Sequence, residues 1–318
     1  MIGRAASDLH LTPKTADWVF AALRELSADA AARGGFTVLA GDILDQPKTV
    51  DVPTYNRLRD ILRNWPGDIF VLPGNHDQYS HPRHALEALD GGACRIVNTP
   101  EVIGDVGLLV PYQPPSSFWD SIRGLSAKVW WTHQGWQGAY LNAMTRDRDG
   151  LDCGRMDADL CVSGHYHCPQ QIGRIVYCGS PFQGTFAEEG QIKGWLKWDG
   201  DVKPQRVAYT TVHAPRHWTV EWVPGTEPAM PPGWRAGDRV RLRTTATRDE
   251  VNRAKVLTGP LSGAAILSAP RNTTRIAVAS TSPVAAAHEW IERVCGPAVN
   301  RPDPAALAEW AEEVRLWG

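Results

Sequence analysis

The chain has 318 residues, of which 43% are hydrophobic and 21% charged, so it is not a disordered or low-complexity chain and is long enough for about two domains. Its formal net charge of −2 provides no global field toward nucleic acid, and any such contact must come from local basic patches. No run of about 18 apolar residues is present, and polar Ser7-Asp8 follows the start too closely for an apolar leader; the expectation is a cytoplasmic protein with no membrane span.

In chain order, the first helix pattern runs from Thr15 to Arg33, with Trp18, Ala22, Leu26 and Ala30 spaced by four and Gly34-Gly35 to stop it. Phe36 to Ala40 reads as a short buried strand. Thr54 to Trp65 is a second helix, ended by Pro66-Gly67, and Ile69 to Leu72 a second strand. Gly107 to Val110, Lys128 to Thr132, Asp159 to Ser163 and Arg174 to Cys178 are further buried strands. Strands alternating with helices indicate an α/β sheet packed under helices.

The texture changes after about residue 205, where a Pro- and Gly-rich connector spans Pro224 to Gly237. A strand (Arg239 to Thr244), a helix (Arg248 to Leu257), strands at Ala264 to Ser268 and Thr274 to Ala279, and a helix (Val284 to Val294) suggest a small α+β second domain. An amphipathic helix, Ala305 to Leu316, closes the chain. The expected division is 1–205, 206–300 and 301–318.

Five clusters carry chemistry: Asp8-Leu9-His10, Gly41-Asp42-Ile43-Leu44-Asp45, Gly74-Asn75-His76-Asp77, His133 and Gly164-His165-Tyr166-His167. Nearly all follow directly on predicted strands, whose C-terminal ends form one rim in an α/β sheet. Asp8 and Asp42 offer anionic oxygens, Asn75 a neutral oxygen, and His10, His133, His165 and His167 imidazole nitrogens. Mixed oxygen and nitrogen donors without thiolate suit manganese, iron or zinc. Seven donors exceed what one transition metal with an open position needs, and suffice for two ions if one aspartate bridges. Such a pair lowers the pKa of water and clamps the oxygens of an in-line displacement at phosphorus. His76 is then available to protonate a departing alkoxide, with Asp77 to orient it and Asp45 as an outer acceptor.

The ordered set resembles the calcineurin-like metallophosphoesterase superfamily, with its D-x-H, GDxxD, GNHD, lone H and GHxH elements. That resemblance implies a four-layer αββα sandwich and two divalent ions, one on Asp8, His10, Asp42 and His167, the other on Asp42, Asn75, His133 and His165. It makes His76 the catalytic histidine. More narrowly, Ser7 to Leu11, the His133-Gln134-Gly135 run and Gly164 to Gln170 are similar to Mre11/SbcD nucleases. So is the tail from Tyr177-Cys178-Gly179-Ser180 through Phe186, Glu188 or Glu189, to Lys193-Gly194. This second resemblance implies a manganese-dependent DNA nuclease acting on duplex ends and single strands, a homodimer, a Rad50/SbcC-type ATPase partner and a DNA-capping role for the second domain. A phosphoesterase acting on small molecules or proteins shares the metal site and is the alternative.

Outside the motifs, the six scattered cysteines read as reduced thiols. His81, His84, His213, His217 and His288 read as ordinary surface or core residues. Arg239, Arg241 and Arg243 alternate along one strand and share a face, which with Arg235 is either a phosphate stripe or, equally, an ordinary solvated sheet face. Trp136 is a candidate for stacking on a base, with core packing the commoner role.

Overall fold

The computed structural model describes residues 2–141, 145–200, 203–223, 226, 229–244 and 266–267. The chain forms two compact units, Met1–Leu267 and Ser268–Gly318, and the described residues all lie in the first. The helices expected at 248–257, 284–294 and 305–316, and the strand at 274–279, fall outside the described residues, as does Cys295.

Strand β1 (Gly3–Ala6) opens the chain, followed by helix α1 (Ala16–Arg33) and strand β2 (Phe36–Ala40). Helix α1 buries Val19, Phe20, Leu23, Leu26 and Ala30 along one stripe and stops at Gly34, whose φ of 64° is the left-handed value glycine tolerates. Helix α2 (Val52–Arg63) begins two residues earlier than the apolar pattern suggests. Asp51 caps it by accepting the Thr54 N–H at 3.0 Å, and Pro53 occupies the first turn, where no donor is needed. Strand β3 (Asp68–Leu72), a hairpin of β4 (Gln78–Ser80) and β5 (Arg83–His84), and β6 (Cys94–Ile96) complete this half.

The second half contributes β7 (Glu101–Ile103), β8 (Gly107–Val110), one-turn α3 (Phe118–Ser121), β9 (Val129–His133), β10 (Leu160–Gly164), β11 (Gln170–Ile172) and β12 (Ile175–Tyr177). Strands β13 (Gly194–Trp198) and β14 (Gln205–Ala208) return to the first sheet. Sheet order is β14-β13-β1-β2-β3-β6 in one sheet and β11-β12-β10-β9-β8-β7 in the other. In each, four consecutive strands pair in parallel, β1-β2-β3-β6 in the first and β12-β10-β9-β8 in the second, and the remaining pairings are antiparallel.

The two sheets pack face to face over Val38, Phe70, Leu109, Trp131, Val162 and Cys178. Full burial of such side chains contributes roughly 1.5–3 kcal/mol each. Helices α1 and α2 cover the outer face of the first sheet, where Leu23, Leu26, Leu58 and Leu62 meet Leu39 and Val71. The outer face of the second sheet has a thinner cover. Here α3 and irregular segments place Phe118, Ile122, Trp136 and Met156 over Leu108, Trp130 and Cys161. The architecture is the expected layered α/β sandwich, with bulky aromatic side chains standing in for helices in the fourth layer.

A third, parallel sheet joins β15 (His217–Trp222), β16 (Arg239–Thr244) and β17 (Ile266–Leu267) around Val220, Trp222, Val240 and Leu242. It is tied to the sandwich through the turn at Phe186–Glu188: Phe186 packs on His217 at 4.6 Å between centroids, and Thr219 donates to Glu189. No described helix is long and apolar enough to cross a membrane.

Candidate metal centre

The parallel strands converge on one rim. Asp8 and His10 follow β1, Asp42 follows β2, and Asn75 and His76 follow β3; His133 ends β9, and His165 and His167 follow β10. The β1–β2 pairing continues past the strand ends: Asp8, His10 and Leu11 donate their N–H groups to the carbonyls of Gly41, Asp42 and Ile43 at 2.9, 3.0 and 2.9 Å. That extension sets the first two loops side by side and fixes the facing of their donors.

Four donor residues sit in the left-handed region that non-glycine residues avoid: Asp8 (φ 54°), His10 (45°), Asp42 (52°) and His165 (93°). Such backbones cost about 1–3 kcal/mol each and persist where surrounding contacts hold them, commonly at functional sites. Neighbouring glycines provide the clearance. A Cβ on Gly41 would stand 2.1 Å from His133 Nδ1, and one on Gly74 would stand 2.2 Å from Asp42 Oδ1.

All seven sequence-predicted donors meet. Asp8, His10 and His167 form one group whose ligating atoms lie within 4.8 Å of one another, and Asp42, His133 and His165 form a second. Asp42 stands between them, Oδ1 lying 3.2 Å from His133 Nε2 and Oδ2 3.8 Å from His10 Nε2. Asn75 Oδ1 is 2.9 Å from His165 Nδ1 and 3.2 Å from His133 Nε2. Asp45, assigned an outer role from sequence, joins a third group with His10 and His76.

The electrostatics fit a cationic occupant. Asp8 and Asp42 are buried, and neither forms an ion pair with lysine or arginine among the described residues. Burial alone would raise the Asp42 carboxyl, but His133, His10 and His76 hold it well below the usual carboxylate range. Burial opposes charge on His133, yet Asp42, with the Ala40 carbonyl on its other nitrogen, holds it up at about 9. Burial and the charge on His133 push His165 down to about 4. His10 Nε2 faces His167 Nε2 at 3.0 Å, where only one nitrogen can carry the proton, and buried His10 Nδ1 makes no hydrogen bond. Two divalent ions would satisfy these lone pairs and carboxylates together, so the donors suit the metals.

Outer contacts resolve what the sequence left open. Glu188, rather than Glu189, supports the centre: its Oε1 is 3.5 Å from His167 Nδ1, and its Oε2 takes the Lys193 ammonium at 2.6 Å. Lys193 also donates to the His167 carbonyl at 2.9 Å and to Ser180 Oγ at 3.0 Å. Burial would raise Glu188, but His167 and Lys193 hold it down at about 2. Glu189 points instead to Thr219 and Arg241 of the third sheet. Tyr112, missed in the sequence because it lies in no motif, has its ring centroid 6.0 Å from that of His165.

One expectation changes, the commoner reading of Trp136 holds, and the arginines keep both of theirs. Asp77 does not orient His76. Its fully buried carboxylate accepts N–H groups from Leu44 (2.8 Å), Gly74 (2.8 Å) and Ile43 (3.2 Å), binding the second and third loops together. Burial and the Asp42 charge push that carboxyl up, and the three N–H donors pull it back. His76 is held instead by the Asp45 carbonyl, 3.0 Å from Nδ1. Trp136 is completely buried among Phe118 and Trp119, so it cannot stack on a base. The arginine stripe exists, but Arg241 is engaged with Thr219 and Glu189, and Arg243 with Glu221.

A search of the curated proteins finds no match. Among solved structures, the chain is similar to YfcE, a phosphoesterase from E. coli, at 18% identity and a TM-score of 0.33, over 66% of this chain and 100% of that one. It is also similar to the nuclease MPE from Pseudomonas putida, at 17% identity and a TM-score of 0.30, over 55% of this chain and 66% of that one. The family model for calcineurin-like phosphoesterases matches residues 5–169, just over half the chain and the stretch that carries all seven donors. The chain therefore belongs to the calcineurin-like phosphoesterases, metal-dependent enzymes that hydrolyse phosphoester bonds.

Proposed function

We propose that the protein is a two-metal DNA nuclease of the Mre11/SbcD type, cleaving phosphodiester bonds at duplex ends and in single strands with manganese. The observation that carries this reading is the tail from Tyr177 to Gly194, whose nuclease-like residues Ser180, Glu188 and Lys193 are wired to the metal donor His167. A shared metal site alone does not require that tail.

Asp8, His10, Asp42 and His167 would hold one ion, and Asp42, Asn75, His133 and His165 the other. Bound divalent cations supply the Lewis acidity and the lowered water pKa that phosphodiester hydrolysis needs. The Asp45 carbonyl can only accept, so His76 keeps a proton on Nδ1; as the doubly protonated imidazolium it gives its Nε2 proton to the departing alkoxide and is left neutral. Glu188 and Lys193 hold the backbone and ring of His167, and Asp77 keeps Asp42 and Asn75 in register.

The same reading makes residues 206–300 a DNA-capping domain and 301–318 a docking segment for a Rad50/SbcC-type ATPase, in a cytoplasmic homodimer. The test is digestion of end-labelled duplex DNA with manganese, beside a simple phosphodiester and a phosphomonoester, with and without a candidate ATPase. Shortened DNA supports the reading; turnover of the monoester with intact DNA overturns it.

A further inference from the structure

Beside the metal donors lies a cavity of about 400 Å³ whose lining the motifs explain only in part. Asp8, His10, His76 and His167 line it together with Trp18, Phe182 and Arg239, which belong to no motif. Trp18 comes from the first turn of α1 and Phe182 from the segment after β12, and the two rings meet edge to face at 5.3 Å. Both rings are half-buried and keep surface toward the cavity.

Arg239 differs from the arginines around it. Arg241 is matched by Glu189, Arg243 by Glu221, and both Arg216 and Arg235 by Asp238. Arg239 is exposed at the cavity lip and has no carboxylate within ion-pair reach among the described residues; its contact is with His217 Nε2 at 3.5 Å. A guanidinium without an anion, set in the cavity that holds the metal donors, suits an oxyanion of the substrate, because its fork matches phosphate oxygens two at a time. Trp18 and Phe182, in the same lining as that guanidinium and the donors, supply aromatic surface of the kind on which single-strand-binding sites stack bases.

We propose that Arg239, Trp18 and Phe182 form a subsite for the nucleotide next to the scissile bond, with Arg239 on its outer phosphate and the aromatic pair against its base. This rests on the nuclease reading and narrows it.

The probes are dithymidine monophosphate, the same dinucleotide bearing a 5′- or a 3′-terminal phosphate, and versions with the outer base removed. The readouts are kcat/KM with manganese and calorimetric binding to the metal-free protein. Wild type should prefer one phosphorylated dinucleotide by about 10–100-fold, the range for a hydrogen bond to a charged group. R239Q should erase that preference, R239K should keep part of it, and W18L should erase the gain from the outer base. Near-UV circular dichroism establishes that each variant is folded. No phosphate preference in wild type, or a full preference in folded R239Q, overturns the subsite. If no DNA or dinucleotide is cleaved, the nuclease reading fails separately, and the binding measurements on metal-free protein still decide the subsite.

Discussion

Replacing Asp77 by Asn separates two roles for a buried carboxylate that has no contact with solvent. The side chain is isosteric, so no cavity forms. Asp77 Oδ1 accepts from Leu44 N–H at 2.8 Å, and Oδ2 from Gly74 at 2.8 Å and Ile43 at 3.2 Å. Asparagine has one oxygen. Its best placement keeps the Gly74 and Ile43 bonds and turns an NH2 group toward the Leu44 N–H. Two buried donors then lack acceptors, at about 1–3 kcal/mol each. The expected loss is about 2–6 kcal/mol, a large part of the roughly 5–15 kcal/mol that holds a typical domain. Urea unfolding of the metal-free protein should show a lower midpoint with an unchanged slope. Because the bonds hold the loops bearing Asp42 and Asn75, manganese affinity by calorimetry should fall about 10–100-fold. An unchanged midpoint and affinity with a reduced kcat would refute this reasoning and return Asp77 to His76.

Three further outcomes follow from the site. His76→Ala should bind manganese like wild type and lose about 10²–10⁴-fold in kcat, measured on a phosphodiester with a poor leaving group; full activity removes His76 from the proton transfer. Glu188 is held down at about 2 against an ordinary 4.5, so its stabilisation is present above about pH 4.5 and lost as the pH falls toward 2. Metal-free wild type should therefore lose about 2 kcal/mol more than Glu188→Gln between about pH 5 and about pH 3, read by urea unfolding at each pH. His133, held up at about 9 in the ion-free protein, stabilises that state below its ordinary value and ceases to as the pH rises through about 9. An entering ion must displace its proton, so apparent manganese affinity should tighten about tenfold per pH unit between about pH 7 and about pH 8; a flat profile would show that His133 is already neutral.

The sequence alone was enough to name seven candidate donors that the structure brings together, because phosphoester chemistry on metals demands particular side chains and the glycines beside them leave a visible spacing. It was also enough to place α1 and most of the parallel strands, since continuous apolar runs record burial on both faces. It did not show β1: Gly3–Ala6 is short and holds Arg4, fully buried because Asp29 and the Asp29 and Gly34 carbonyls receive its guanidinium across the fold. Nor could local pattern choose between Glu188 and Glu189, which turn to His167 and to the third sheet, or separate Asp77 from His76 next to it in the chain. Those choices depend on which loops the sheet register sets side by side, and register is decided by contacts between residues far apart in sequence. The sequence names the chemical groups, and the tertiary structure decides which of them face one another.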